Sequence, residues 1–133
     1  MKLNSGNHVH VVDDNADIRR LLSLVLGSKG FRVKTYENAA SFLLDGTESR
    51  PEILILDIRM PGMSGVELQA ELQSRGRKTP IIFISGECQP HEMEAIQAAG
   101  CIEFLWKPFN TDQLMGAIEK AFAIELAQLN TPS

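Results

Sequence analysis

Short β-branched apolar runs alternate along the chain with longer stretches in which apolar residues recur every three or four positions. The runs fall at 9–12, 31–35, 53–56, 81–84 and 102–105. The third (Ile-Leu-Ile-Leu) and fourth (Ile-Ile-Phe-Ile) are apolar at every position, as in a parallel strand covered on both faces. The second and fifth alternate with polar residues, as sheet edges do. Between the first two runs, Ile18, Leu21, Leu22, Val25 and Leu26 form one helical stripe that stops near Gly30, where a glycine can turn the chain past a helix end. Asn38 is placed to cap a short second helix. Ser64 with Glu67 three residues on makes a capping box that opens a third helix running toward Gly76. A fourth helix is expected over 90–99. The fifth starts at Thr111, and its stripe of Leu114, Met115, Ile118, Ala121, Phe122 and Leu126 continues to Leu129. Five strand–helix units joined by right-handed crossovers predict an α/β fold with a doubly wound five-stranded parallel sheet. Ligands of such a sheet sit at the carboxyl ends of its strands.

A chain of 133 residues makes one domain, long enough to bury roughly two-thirds of its unfolded surface. With 44% hydrophobic and 23% charged residues it is neither a disordered tail nor a fibrous protein. The net charge of −4 argues against bulk electrostatic binding to nucleic acid or to an anionic membrane. Cys88 and Cys101 belong to no Cys-x-x-Cys or zinc-like pattern and read as free thiols in a reducing compartment. The N-terminus has no apolar signal core, and no run approaches the ~18 apolar residues of a membrane span. A soluble, cytoplasmic protein is expected.

The chemistry-bearing residues stand where the strands end. Asp13 and Asp14 follow the first run, Asp57 the third, Ser85 the fourth and, one residue further along, Lys107 the fifth. One aspartate at a strand end is most often a turn former or helix cap. Three gathered at one sheet edge repel one another and raise each other's pKa, an arrangement that favours a cation among them. Oxygen ligands point to magnesium. Three carboxylates, one ammonium and a divalent ion are together neutral, so the loaded site can admit a phosphate-bearing donor. Asp57, on a central strand, is then the candidate nucleophile toward phosphorus, with Lys107 and the metal on the equatorial oxygens and the Ser85 hydroxyl donating to one of them.

At these residues the sequence resembles the receiver domains of two-component response regulators. The resemblance rests on Val-Val-Asp-Asp-Asn at 11–15, Leu-Asp-Ile-Arg-Met-Pro-Gly-Met-Ser-Gly at 56–65, Ile-Ser-Gly at 84–86, Ala-Ala-Gly at 98–100 and Trp-Lys-Pro-Phe at 106–109. It covers about residues 8–124 and is closest in wording to FixJ-type receivers. The family implies a flavodoxin-like (βα)5 fold with strand order 2-1-3-4-5. It implies that Asp57 accepts a phosphoryl group from a histidine kinase. Asp14 and Asp57 would hold Mg2+ directly, Asp13 through water, and the Arg59 backbone carbonyl would complete the protein ligands. Ser85 and Lys107 would hold the phosphoryl group, and the Lys107–Pro108 bond is expected to be cis.

The signal would leave through Ser85, drawn inward by the phosphoryl group, and through the aromatic on the last strand, which here is Phe104. Having no hydroxyl, Phe104 would switch by packing alone. Trp106, on the same side of an edge strand, is a candidate for the output and dimer face formed by the fourth helix, fifth strand and fifth helix. Arg59 and Glu87 are candidates to meet across the mouth of the site and gate water, in an ion pair worth under about 1 kcal/mol. Residues 1–7 read as an N-terminal extension. Residues 125–133 read as a tail or the start of a linker helix to an output domain, of helix-turn-helix type in FixJ-type regulators, which alone would contact DNA. His8 and His10 share a strand face without a third ligand and read as partly buried structural histidines. Met60, Met63, Met93 and Met115 read as packing residues.

Two other classes compete. A magnesium-dependent phosphatase of the haloacid dehalogenase type needs a second acid two residues after its nucleophile, where this chain has Arg59. A flavin-binding module needs a phosphate loop after the first strand, where Asp13 and Asp14 would instead repel phosphate. The resemblance implies a phosphoacceptor switch with slow self-phosphorylation and self-hydrolysis rather than a metabolic enzyme, serving transcriptional control in a full-length protein.

Overall fold

The computed structural model describes residues 7–45 and 53–129. In chain order its elements are β1 (His8–Val12), α1 (Ala16–Ser28), β2 (Arg32–Tyr36), α2 (Ala39–Asp45), β3 (Ile53–Asp57), α3 (Gly65–Ser74), β4 (Ile81–Ser85), α4 (Pro90–Ala98), β5 (Glu103–Trp106) and α5 (Thr111–Leu129). The strands form one parallel sheet in the order β2-β1-β3-β4-β5. β3 and β4, apolar up to their last residues Asp57 and Ser85, lie inside and the alternating β2 and β5 form the edges, as the sequence pattern requires.

Side chains alternate across this sheet into two cores. Val9, Val11, Ile53, Ile55, Ile82, Ile84 and Leu105 pack on α1 and α5, with Phe31 stacked on Phe122 at 5.5 Å. Val12, Leu54, Leu56 and Phe83 pack on α2, α3 and α4. Each fully buried aliphatic side chain contributes about 1.5–3 kcal/mol, so the central strands anchor the fold.

The caps act as local chemistry demands. Ser64 and Glu67 form the expected capping box on α3, and the Asn38 side chain accepts from the Ser41 N–H. Asn15, not singled out from sequence, caps α1 by accepting from the N–H groups of Asp17 and Ile18. Gly30 takes φ 93° just beyond α1. β2 and β5 begin and end one residue later than the apolar runs, because strand pairing decides: Tyr36 pairs with Val12 and Trp106 with Ser85. Of the N-terminal extension only Asn7 is described, and its carbonyl accepts from the Arg32 N–H. Residues 1–6 and 130–133, and the side chains of Leu126 and Leu129, lie outside the description, although α5 itself reaches Leu129.

The two histidines divide. His8 is exposed at the start of β1, which corrects the expectation that both are partly buried. His10, two residues along, is 2% exposed beside the rings of Tyr36 and Phe42 at 5.7 and 5.9 Å. Burial lowers the His10 pKa to about 4, helped by the positive charges of Lys34, His8 and Arg77 and opposed by Asp45. The unfolded chain binds a proton near pH 6.5 that the folded chain refuses until about 4, so His10 makes stability fall with acidification through that window. Removing the imidazole with His10→Leu should abolish roughly 2–3 kcal/mol of the loss between pH 7 and 4.5. Urea midpoints of both proteins across that range check it, and parallel curves would refute it.

Candidate functional site

Parallel pairing brings the ends of four strands to one edge. Asp57 ends β3, Ser85 ends β4, Asp13 follows β1 and Lys107 follows β5, with the Lys107 N–H donating to the Ser85 carbonyl at 2.9 Å. The Lys107–Pro108 bond is cis, as expected. Asp13, Asp57 and Ser85 are buried and Asp14 is exposed.

Asp13, Asp14 and Asp57 each place a carboxylate oxygen within 4.8 Å of the others. The Lys107 ammonium lies 2.9 Å from Asp13 Oδ2 and 3.6 Å from Asp57 Oδ1. Asp13 is held from three sides. Its N–H donates to the Tyr36 carbonyl at 3.1 Å, its Oδ1 accepts from Asn15 N–H at 2.8 Å, and its carbonyl accepts from Arg19 Nη1 at 2.8 Å. Buried Asp13 Oδ2 faces the ammonium but receives no well-directed hydrogen bond. One lysine thus contacts two of the three carboxylates, and the surplus negative charge and oxygen-only donor set fit a hard divalent cation such as Mg2+.

Burial, reinforced by the neighbouring Asp13, raises the Asp57 pKa to about 7; Lys107 and the Arg59 backbone N–H pull it down, and Asp14 adds a further upward push. A carboxylate at that poise is desolvated and in want of cationic partners, which suits a nucleophile waiting for a metal.

Around this centre, Ser85 is turned toward its own loop: its hydroxyl donates to the Glu87 carbonyl and accepts from the Glu87 N–H. Phe104 is half-buried, its ring 4.7 Å from that of Trp106, which is 52% exposed. The structure brings Arg59 and Glu87 to 3.9 Å, in a pair whose Arg59 side chain is about half buried and whose Glu87 side chain is mostly in water. The strong partner of Arg59 is Glu92, at 2.6 Å. Sequence reasoning missed Glu92; its place three residues after Gln89 signals a capping role at α4, but nothing local points it at Arg59. Gly65 was also missed as a site residue, although it lies within the quoted motif. It opens α3 directly on the backbone of Asp57, and its N–H donates to the Ile58 carbonyl at 3.0 Å.

The architecture is that of a flavodoxin-like α/β protein with an acidic pocket at the carboxyl edge of its sheet. Residues 9–119 match the family model of the response regulator receiver domain, and the chain belongs to that family. Response regulator protein TmoT of Ectopseudomonas mendocina is 42% identical over 117 residues, covering 87% of this chain and 53% of TmoT. Transcriptional regulatory protein FixJ of Rhizobium meliloti is 40% identical over 114 residues, covering 85% and 55%. The chain spans about half the length of these relatives. Among solved structures, that of FixJ-N superposes with a TM-score of 0.80 at 35% identity, covering 92% of this chain and 96% of that one. Chemotaxis protein CheY4 of Vibrio cholerae gives 0.80 at 28% identity, covering 87% and 98%. Receiver domains are phosphoacceptor switches that partner with sensor kinases and bind Mg2+ in an acidic pocket. Among the described residues no helix is long and apolar enough to cross a membrane.

Proposed function

We propose that Asp57 accepts a phosphoryl group from the phosphohistidine of a sensor kinase. The observation that carries this reading is the buried Asp57 carboxylate, clustered within 4.8 Å of two others and 3.6 Å from the Lys107 ammonium. An Asp57 oxygen attacks phosphorus, the phosphorus–nitrogen bond breaks, and its electron pair returns to the donor imidazole. Asp14, Asp57 and the Arg59 carbonyl, with Asp13 in support, would hold Mg2+, which would supply positive charge to the phosphoryl oxygens. Lys107 shifts its contact from the carboxylates to the phosphoryl group.

Phosphorylation makes the site more negative by about one charge and adds acceptor oxygens. Ser85 then leaves the Glu87 carbonyl to donate to one of them, and Phe104 moves by packing into the vacated space. The face of α4, β5 and α5, with Trp106 upon it, carries the change to a dimer partner or an output domain. Residues 8–124 act as the cytoplasmic receiver, with 1–7 as an extension and 125–133 as a tail or linker helix. DNA would be reached only through a further domain, in keeping with relatives named as transcriptional regulators of which the chain covers about half. The exposed Arg59 and Glu87 side chains stand at the mouth where they can slow an attacking water.

Intact mass after incubation with acetyl phosphate tests the reading. One phosphoryl increment is expected, dependent on Mg2+ and lost in Asp57→Asn. Sizing the phosphorylated sample beside Trp106→Ala reads the dimer face. No increment under any condition would make the chain a binding module with an idle acidic site.

A further inference from the structure

Arg59 stands two residues after Asp57, and its two ends reach different elements. Its backbone N–H donates to the Asp57 carboxylate. Its guanidinium crosses to α4, where Nη2 donates to Glu92 Oε1 at 2.6 Å. The same oxygen accepts the Gln89 N–H at 2.8 Å, the bond that closes the N-terminus of α4. Glu92 is only 8% exposed, so its carboxylate has exchanged water for these two donors. Loss of the guanidinium would leave a buried charge with one backbone partner, an arrangement relieved by moving the turn into solvent. At the other end of the same loop, Ser85 holds the Glu87 carbonyl. Residues 86–89 are thus tied at both ends to groups beside Asp57.

We propose that Glu92 is a positioning residue for the acceptor loop, acting through Arg59, and that its Oε1 couples occupancy of the Asp57 site to the first turn of α4. A phosphoryl group on Asp57 offers the guanidinium a further anion beside Glu92 and the more distant Glu87. As Arg59 turns toward it, Glu92 is left unpaired and the cap of α4 loosens. By linkage, whatever loosens this turn alters ligand affinity at Asp57 by the same factor. The inference rests on Asp57 being the acceptor, and it gives α4 an electrostatic route beside the packing route through Ser85 and Phe104.

Amide hydrogen exchange over residues 89–96 tests it in wild type, Arg59→Ala, Glu92→Gln and Glu87→Gln, each free and with Mg2+ plus beryllium fluoride as the phosphoryl mimic. Free Arg59→Ala and Glu92→Gln should exchange roughly ten-fold faster than wild type over this turn, and Glu87→Gln less than about two-fold. The mimic should accelerate exchange in wild type and change Arg59→Ala and Glu92→Gln less than about two-fold. A Glu92 that is merely structural would shift protection in the free protein yet leave the full response to the mimic, which overturns the coupling. Wild-type protection in free Arg59→Ala overturns the positioning role. A wild type that takes up neither phosphoryl nor mimic overturns the acceptor reading and the coupling together, while the free-protein comparison still decides whether Glu92 holds the loop.

Discussion

Asp57→Asn should be more stable than the wild type above pH 7 when no divalent cation is present, by an amount on the order of 3 kcal/mol. The folded protein holds the Asp57 proton to about pH 7, whereas an unstructured aspartate releases it near 3.8. Across that interval the folded state binds more protons than the unfolded one. The stabilisation is therefore complete below about pH 4 and is lost as pH rises through 7. At pH 8 the wild type buries a full negative charge beside Asp13, while the amide of the variant does not. The advantage of Asp57→Asn should accordingly shrink to nothing near pH 4. Saturating Mg2+ should narrow it at pH 8 as well, because a ligand that binds only the folded wild type stabilises it by mass action. Thermal or urea unfolding at pH 4, 6 and 8, with and without Mg2+, provides the measurement. A gain that is the same at every pH would mean that local packing, not charge burial, governs Asp57.

Gly65→Ala should be damaging at a position where the sequence shows only a small residue at a helix start. A Cβ at Gly65 would lie 2.3 Å from the Asp57 carbonyl oxygen, and 3.0 Å from both Asp57 C and Ile58 Cα. All three are backbone atoms, so no side chain can swing aside. α3 must retreat from the end of β3, and the Gly65 N–H to Ile58 carbonyl bond goes with it. Overpacking of this kind costs about 3 kcal/mol. Because the contacted backbone carries the acceptor, phosphoryl uptake from acetyl phosphate should slow by about a hundred-fold, the penalty of misplacing a reacting group by roughly an ångström. Gly116→Ala is the control. Gly116 lies inside α5 with nothing within 4 Å of the added methyl, and the same substitution there should raise stability by about 0.5–1 kcal/mol. Equal effects at the two glycines would remove the steric argument.

Much of this protein is legible without coordinates, because the decisive signals are local. An apolar run shows both its burial and its end, so the residues just beyond the runs, Asp13, Asp14, Asp57, Ser85 and Lys107, announce a common edge once the strands are parallel. Capping pairs such as Ser64 with Glu67 work for the same reason, since every atom involved lies within one helical turn. The properties that needed the tertiary structure depend on distances between segments remote in sequence. His8 and His10 differ in burial because only His10 lies beneath the rings of Tyr36 and Phe42. The acidity of Asp57 is set by burial and by Asp13 from another strand. Arg59 makes its short contact with Glu92, 33 residues away, and only a long one, at 3.9 Å, with Glu87, because the path of the loop and the seating of α4 decide how near each carboxylate comes. Patterning along a chain reports which face of each element is apolar; the angles and offsets at which elements dock, which place charges within a few ångströms, come only from the packing of all of them together.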